Sequence, residues 1–153
     1  MAEVFYWGAL LPESENLKSI WNITRLDYSG GVLDGVPALS ICPEVSKTFN
    51  GHPGMRIRGA SGKRLYPNFR LTNAKLSKTS LLLEYEDPEI GLTYKANFLA
   101  HKETSVFELS ASLTANTDIL VDWFAAPVLP ATQAAKKMID FSGHWCREFQ
   151  KQE

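Results

Sequence analysis

The sequence predicts an all-β domain, an antiparallel β-sandwich preceded by one short N-terminal helix. Three observations carry this. From Phe69 onward apolar and polar residues alternate with period two in runs of eight to ten, the signature of strands with one buried face. Short polar turns such as Asp87-Pro88-Glu89 and Asn116-Thr117-Asp118 separate these runs. Between them no helical periodicity intervenes, and several consecutive strands without crossover helices fold as a sandwich. A chain of 153 residues, 44% apolar and 22% charged, has the length and composition of a single globular domain, here 1–153.

Taken in order, Val4-Phe5-Tyr6-Trp7 is aromatic and β-branched and predicts a strand that Gly8 and Pro12 close. Leu17, Ile20, Trp21 and Thr24 then fall at i, i+3, i+4 and i+7 behind Ser14 and Glu15, predicting the short amphipathic helix. Residues Asp27 to Pro37 form a glycine-rich loop, and Ala38-Leu39-Ser40-Ile41-Cys42 a short buried strand stopped by Pro43. Leu81, Leu83 and Tyr85 alternate with Leu82, Glu84 and Glu86. Leu92, Tyr94, Ala96 and Phe98 do the same against Thr93, Lys95 and Asn97. Phe107, Leu109, Ala111 and Leu113 give the next strand, and Ile119 to Val128 the last apolar one. Trp7, Trp21, Trp123 and Trp145 all sit in apolar patterns that suit a core.

Charge and composition exclude several functions. The net charge is −1, from 16 basic and 17 acidic residues, and no basic stripe marks a nucleic-acid partner. No apolar window approaches the length of a membrane span. Glu3 stands where a secretion signal would carry a cation, so the expected location is cytoplasmic and the sequon Asn22-Ile23-Thr24 is a chance match. Cys42 and Cys146 are two thiols without metal-ligand spacing, expected reduced and packed. His52, His101 and His144 lie far apart in sequence with no ligand cluster near them, so no metal and no cofactor is expected.

Catalytic signals are equally thin. Glu84, Glu86, Asp87 and Glu89 read as solvating charges at the end of a sheet, and Asp118 and Asp122 as turn and polar-face residues. No nucleophile elbow, phosphate loop or Cys/His pair occurs. One loop stands out, Phe49-Asn50-Gly51-His52-Pro53-Gly54-Met55-Arg56-Ile57-Arg58-Gly59-Ala60-Ser61-Gly62, where four glycines and a proline shape the backbone and His52, Arg56 and Arg58 offer donors. It fits either a binding loop or a plain connection between strands. The final segment, Phe141-Ser142-Gly143-His144-Trp145-Cys146-Arg147-Glu148-Phe149, is too aromatic for a dispensable tail. Trp145, Arg147, Glu148 and Phe149 are expected either to close the sandwich core or to form an interface with a further domain or subunit.

Three of these stretches together resemble the N-terminal domain of bacterial α-galactosidases of glycoside hydrolase family 36. Tyr6-Trp7-Gly8-Ala9-Leu10-Leu11-Pro12 is similar to a "Y-W-G-x-x-L-P" opening. Leu39-Ser40-Ile41-Cys42-Pro43-Glu44, with Phe49 to Met55 and Arg58, is similar to "L-S-L-x-P-E … F-x-G-H-P-G-L … R", and Phe141 to Phe149 to "F-S-G-x-W-x-R-E-F". The resemblance implies a β-supersandwich akin to the galactose mutarotase fold. It implies a (β/α)₈ barrel beyond residue 153, whose two aspartates hydrolyse terminal α-galactosides with retention. It also implies a homo-oligomer in which N-terminal domains wall the active site. In one branch of the family an aspartate in this loop reaches a neighbour's galactose, whereas Gly54-Met55-Arg56-Ile57-Arg58 holds no acid here. His52 and Arg58 remain the substrate-proximal candidates. Two rival readings are a stand-alone carbohydrate-binding sandwich, resting on four tryptophans and five tyrosines, and a mutarotase-like isomerase by fold analogy.

Overall fold

The structure, a computed structural model, describes residues 1–4, 6, 39–47, 49, 51–125, 127–130, 136–137 and 139–152. The expected N-terminal helix, the glycine-rich loop from Asp27 to Pro37, and Phe5 and Trp7 of the first strand lie outside these residues. Among the described residues the only helical element is a single 3-10 turn, Val45–Lys47.

Nine strands follow: β1 (Met55–Gly59), β2 (Arg64–Leu65), β3 (Arg70–Leu76), β4 (Ser80–Asp87), β5 (Leu92–His101), β6 (Val106–Ala115), β7 (Ile119–Phe124), β8 (Asp140–His144) and β9 (Arg147–Gln152). Every pairing is antiparallel, in sheets of order β2-β1-β7, β3-β4-β5-β6 and β8-β9. The four-stranded sheet is the meander read from the alternation. Its β4–β5 turn depends on Gly91, whose φ of 65° places it in the left-handed region. A Cβ there would also come within 3.1 Å of Asn116.

The three- and four-stranded sheets share one core. Met55 and Ile57 of β1 point into it, opposite Leu83 and Tyr85 of β4 and Leu92, Tyr94 and Ala96 of β5. Tyr94 is its centre: its ring lies 5.8 Å from Phe69, 6.0 Å from Tyr85 and 6.0 Å, edge-on, from Phe124 of the opposite sheet. Such offset and T-shaped contacts suit the aromatic quadrupole. Tyr85 Oη accepts the Ala2 N–H at 3.0 Å, whereas the buried Tyr94 Oη finds no partner among the described residues.

Four expectations change. Of the expected Ala38–Cys42 strand, Ala38 lies outside the described residues and the rest forms one bridge, Glu3 with Ser40, because Ile41 gives its C=O to Val128 and Pro43 has no N–H to extend the ladder. Asp87 is buried, not solvated: the alternation that buries Leu83 and Tyr85 turns it inward, where it accepts the N–H groups of Asn68 (2.7 Å) and Glu89 (3.0 Å). Trp123 and Trp145 are exposed rather than core residues, and Trp7 and Trp21 lie outside the described residues. Of the two thiols only Cys42 is packed, while Cys146 is exposed.

Candidate functional site

The segment between Pro43 and β1 is held from below by Glu44, 5% exposed. Its Oε1 accepts the Phe69 N–H at 2.8 Å, and its Oε2 faces the Lys47 ammonium at 3.0 Å and the N-terminal ammonium at 3.6 Å. Those two approaches are charge contacts more than directed hydrogen bonds, since Oε2 lacks a donor in line with it. Lys47 also donates to the Phe69 carbonyl at 2.9 Å, and Ser46 Oγ donates to the Pro67 carbonyl. Two carbonyls and an amide at the entrance to β3 are thereby satisfied from one turn, which fixes the loop without a regular element.

Gly54 brings the backbone against Cys42: a Cβ there would meet Cys42 Sγ at 2.6 Å, so only glycine fits. Burial and the Glu44 charge push the Cys42 thiol up to about 12. Beyond this contact β1 starts, with Met55 and Ile57 inward and Arg56 outward.

On β7 the register against β1 slips between Arg56 and Ile57: Arg56 faces Trp123, and Ile57 faces Val121. Asp122 is the extra residue of this bulge. The bulge gathers Arg56, Arg58, Asp122 and Trp123 on the outer face. Arg58 is bidentate to Asp122, with Nε to Oδ2 at 2.8 Å and Nη2 to Oδ1 at 2.6 Å. This fork hydrogen bond holds the Asp122 carboxyl below its usual range and the Arg58 guanidinium above its own. Trp123, 46% exposed, receives the His52 ring edge-on at 5.0 Å. His52 and Arg58 are thus brought to neighbouring residues of one strand.

Beside this face lies a cavity of about 540 Å³, lined among others by Glu44, Phe49, Arg56, Arg64, Tyr66 and Asp122. The wall offers aromatic faces and guanidinium donors, while its two acids are already engaged, Glu44 by Phe69 and the ammonium groups and Asp122 by Arg58. Retaining glycoside hydrolysis needs two carboxyl groups free to act about 5 Å apart. Sequence reasoning singled out His52, Arg56 and Arg58 as donors of this loop; of these Arg56 lines the cavity, and Glu44, Arg64 and Tyr66 were missed as parts of its wall.

The second candidate surface is the β8–β9 ribbon. Trp145 and Cys146 form its turn, Cys146 with φ 69°, and Phe149 also adopts a left-handed φ of 57°. Glu148 Oε1 accepts the Cys146 N–H at 3.0 Å, and Phe141 packs edge-on against Phe149 at 6.4 Å. Gly143 is required because a Cβ would meet Arg147 O at 2.6 Å. Trp145 is 89% and Phe149 82% exposed, and Arg147 and Glu148 are exposed beside them. Of the two alternatives for this segment, closure of the sandwich core is not met: Trp145 at the turn and Phe149 on β9 are both exposed.

The outer face of β1 and β7, the cavity beside it and the exposed aromatic ribbon are the candidate surfaces of this β-domain. The chain matches the glycosyl hydrolase family 36 N-terminal domain over residues 1–153, and it belongs to that family. It is accordingly the non-catalytic N-terminal domain of a glycoside hydrolase, which implies a catalytic domain C-terminal to it in the full protein. Comparison with curated proteins and with solved structures returned no match. Among the described residues no helix is long and apolar enough to cross a membrane.

Proposed function

We propose that this domain serves a cytoplasmic α-galactosidase, which hydrolyses terminal α-galactosides of the melibiose and raffinose type with retention. The chemistry belongs to a (β/α)₈ barrel following residue 153, and this chain alone is inactive. The observation that carries the reading is the β8–β9 ribbon, with Trp145 and Phe149 at 89% and 82% exposure in a segment similar to the family's junction motif. Large aromatics flanked by a charge pair are what a domain interface uses as anchors. Trp145, Arg147, Glu148 and Phe149 pack on the barrel, while His52 and Arg58 face toward the substrate entrance and help wall it.

The test is hydrolysis of a chromogenic α-galactoside by the full protein and by residues 1–153, with the product anomer read by NMR. Hydrolysis with retention by the full protein and none by the 153-residue chain is expected. Turnover by the short chain, or an inverted anomer, overturns the reading.

A second reading, a stand-alone carbohydrate-binding sandwich, is favoured by one observation: Trp123 is half exposed beside a cavity with aromatic rims. It requires tryptophan fluorescence of the chain to change with millimolar melibiose or raffinose. An unchanged spectrum removes it.

A further inference from the structure

Three guanidinium groups share the outer face of β1 and β2, and only one of them meets a counter-charge. Arg58 and Arg64 are direct partners across the β1–β2 ladder, and Arg56 lies two residues along β1 on the same face. Like charges set opposite each other in a ladder repel, so this arrangement costs the sheet stability. Asp122 relieves Arg58 alone, because the fork from Arg58 takes both of its carboxylate oxygens. Arg56 and Arg64 are exposed, and neither has an ion pair or hydrogen bond among the described residues. The Arg58 fork holds the Asp122 carboxyl low, and the charges of Arg64 and Arg56 add to it, which places both cations near that group.

Both free cations line the cavity of about 540 Å³, a volume within the range of small-ligand pockets. They are diagonal neighbours of the β1–β2 pair, about 7–8 Å apart in such a ladder, within reach of two long side chains on one small anion. The acids of the wall do not oppose an anion there. Glu44 holds its charge inward against Lys47 and the N-terminal ammonium, and Asp122 is closed by Arg58. The remaining wall is apolar and stiff. Pro43, Pro53 and Pro67 are buried in it with their φ angles fixed, while Phe49 and the exposed Tyr66 supply aromatic faces.

We infer that this cavity binds a sugar phosphate, its phosphate between Arg56 and Arg64 and its ring against Phe49 and Tyr66. The charge count selects the phosphate. A phosphate monoester carries about −1.5 to −2 near neutral pH, which matches two free guanidinium charges, whereas a carboxylate leaves one of them unmet. Aromatic faces take the C–H side of a sugar ring, and the chain is part of a glycoside hydrolase, whose chemistry is that of sugars. A bound phosphate also ends the opposition of Arg58 and Arg64, so stability lost in the empty site returns when it fills. The inference holds whichever glycoside the full protein hydrolyses.

The test is isothermal titration calorimetry of the full protein with glucose 6-phosphate, for wild type, Arg56→Gln, Arg64→Gln and the two together. Glucose, glucuronate and inorganic phosphate are titrated beside it, and Lys75→Gln on β3 is the control for a cation lost elsewhere. Saturable binding of glucose 6-phosphate is expected, weakened about tenfold by either arginine change and unaltered by the control. Glucose should show no difference between wild type and the double variant. No binding by wild type, or binding that survives both changes, overturns the site. Glucuronate or inorganic phosphate bound as tightly as glucose 6-phosphate overturns the assignment to a sugar phosphate. The ligand-free melting temperature supplies the second readout. Arg64→Gln should raise it slightly, by removing the like charge opposite Arg58, and a fall would give Arg64 to the fold and overturn its role in binding.

Discussion

Two antiparallel hairpins in this chain come to opposite ends. β4–β5 buries Tyr85 and Tyr94 completely, whereas β8–β9 leaves Trp145 and Phe149 almost wholly in solvent. Both carry aromatics and both pair antiparallel, β4–β5 in unbroken register and β8–β9 with a shift between Ser142 and His144. The difference is a second layer. β4 and β5 face Ile57 and Phe124 of another sheet, while residues 140–151 of the ribbon are all exposed. A two-stranded ribbon is marginal in water by itself. Aromatic content sets how much surface a strand can hide, and a partner decides whether it is hidden.

The sharpest contrast between the regions is in their thiols. Cys42, buried and pushed up to about 12, is expected to resist a disulfide reagent at pH 8 until the chain unfolds, while exposed Cys146 reacts at once. One fast thiol per folded chain and two per unfolded chain is the count to look for. Two fast thiols in the folded chain would mean the Cys42–Gly54 contact opens readily.

Next in size are the aromatic truncations. Tyr94→Ala should cost about 3–5 kcal/mol in urea unfolding, as large core aromatics do. Phe149→Ala in the same chain should stay within about 0.5 kcal/mol. An equal loss at both sites would show that the ribbon packs on the sandwich in solution. Glu44→Ala is expected to cost about 1–3 kcal/mol, since it strands the buried Phe69 N–H, and the same unfolding curves measure it.

Hydroxyl deletions separate the two core tyrosines. Tyr85→Phe removes the acceptor of the Ala2 N–H and should cost about 1 kcal/mol. Tyr94→Phe removes a buried hydroxyl without a described partner and should be neutral or stabilising. The smallest effect belongs to the outer face. Asp122 has a folded pKa below 3.8, so its contribution is fully present above pH 3.8 and is lost as pH falls through the lower folded value. The melting temperatures of wild type and Asp122→Asn should therefore differ slightly at neutral pH, less in high salt, and converge in strong acid. A gap that persists in strong acid would assign the effect of Asp122 to the bulge geometry and not to its charge.

Much of the fold was legible because a strand with one wet face writes its burial into the sequence every second residue. Leu83, Tyr85, Leu92, Tyr94 and Ala96 were all placed inward by this pattern, and all are buried. The site was legible only in outline. Nothing local marks Glu44 as buried or Asp122 as a bulge residue, because each depends on a partner far along the chain: Phe69 lies 25 residues from Glu44, and Arg58 lies 64 from Asp122. Trp123 misled for the same reason. Its apolar neighbours suited a core, but the bulge turned it outward beside His52.

By itself, then, the sequence determined the strands of the meander, the faces they bury and the resemblance to a family 36 N-terminal domain. Period-two alternation and short motifs are local properties, and locality is what a sequence preserves. Tertiary structure alone decided that Glu44 anchors the loop, that Arg58 closes on Asp122, and that Trp123 meets His52 on the outer face. Those outcomes are sums over contacts between distant segments, and no window of the sequence contains both members of any of them.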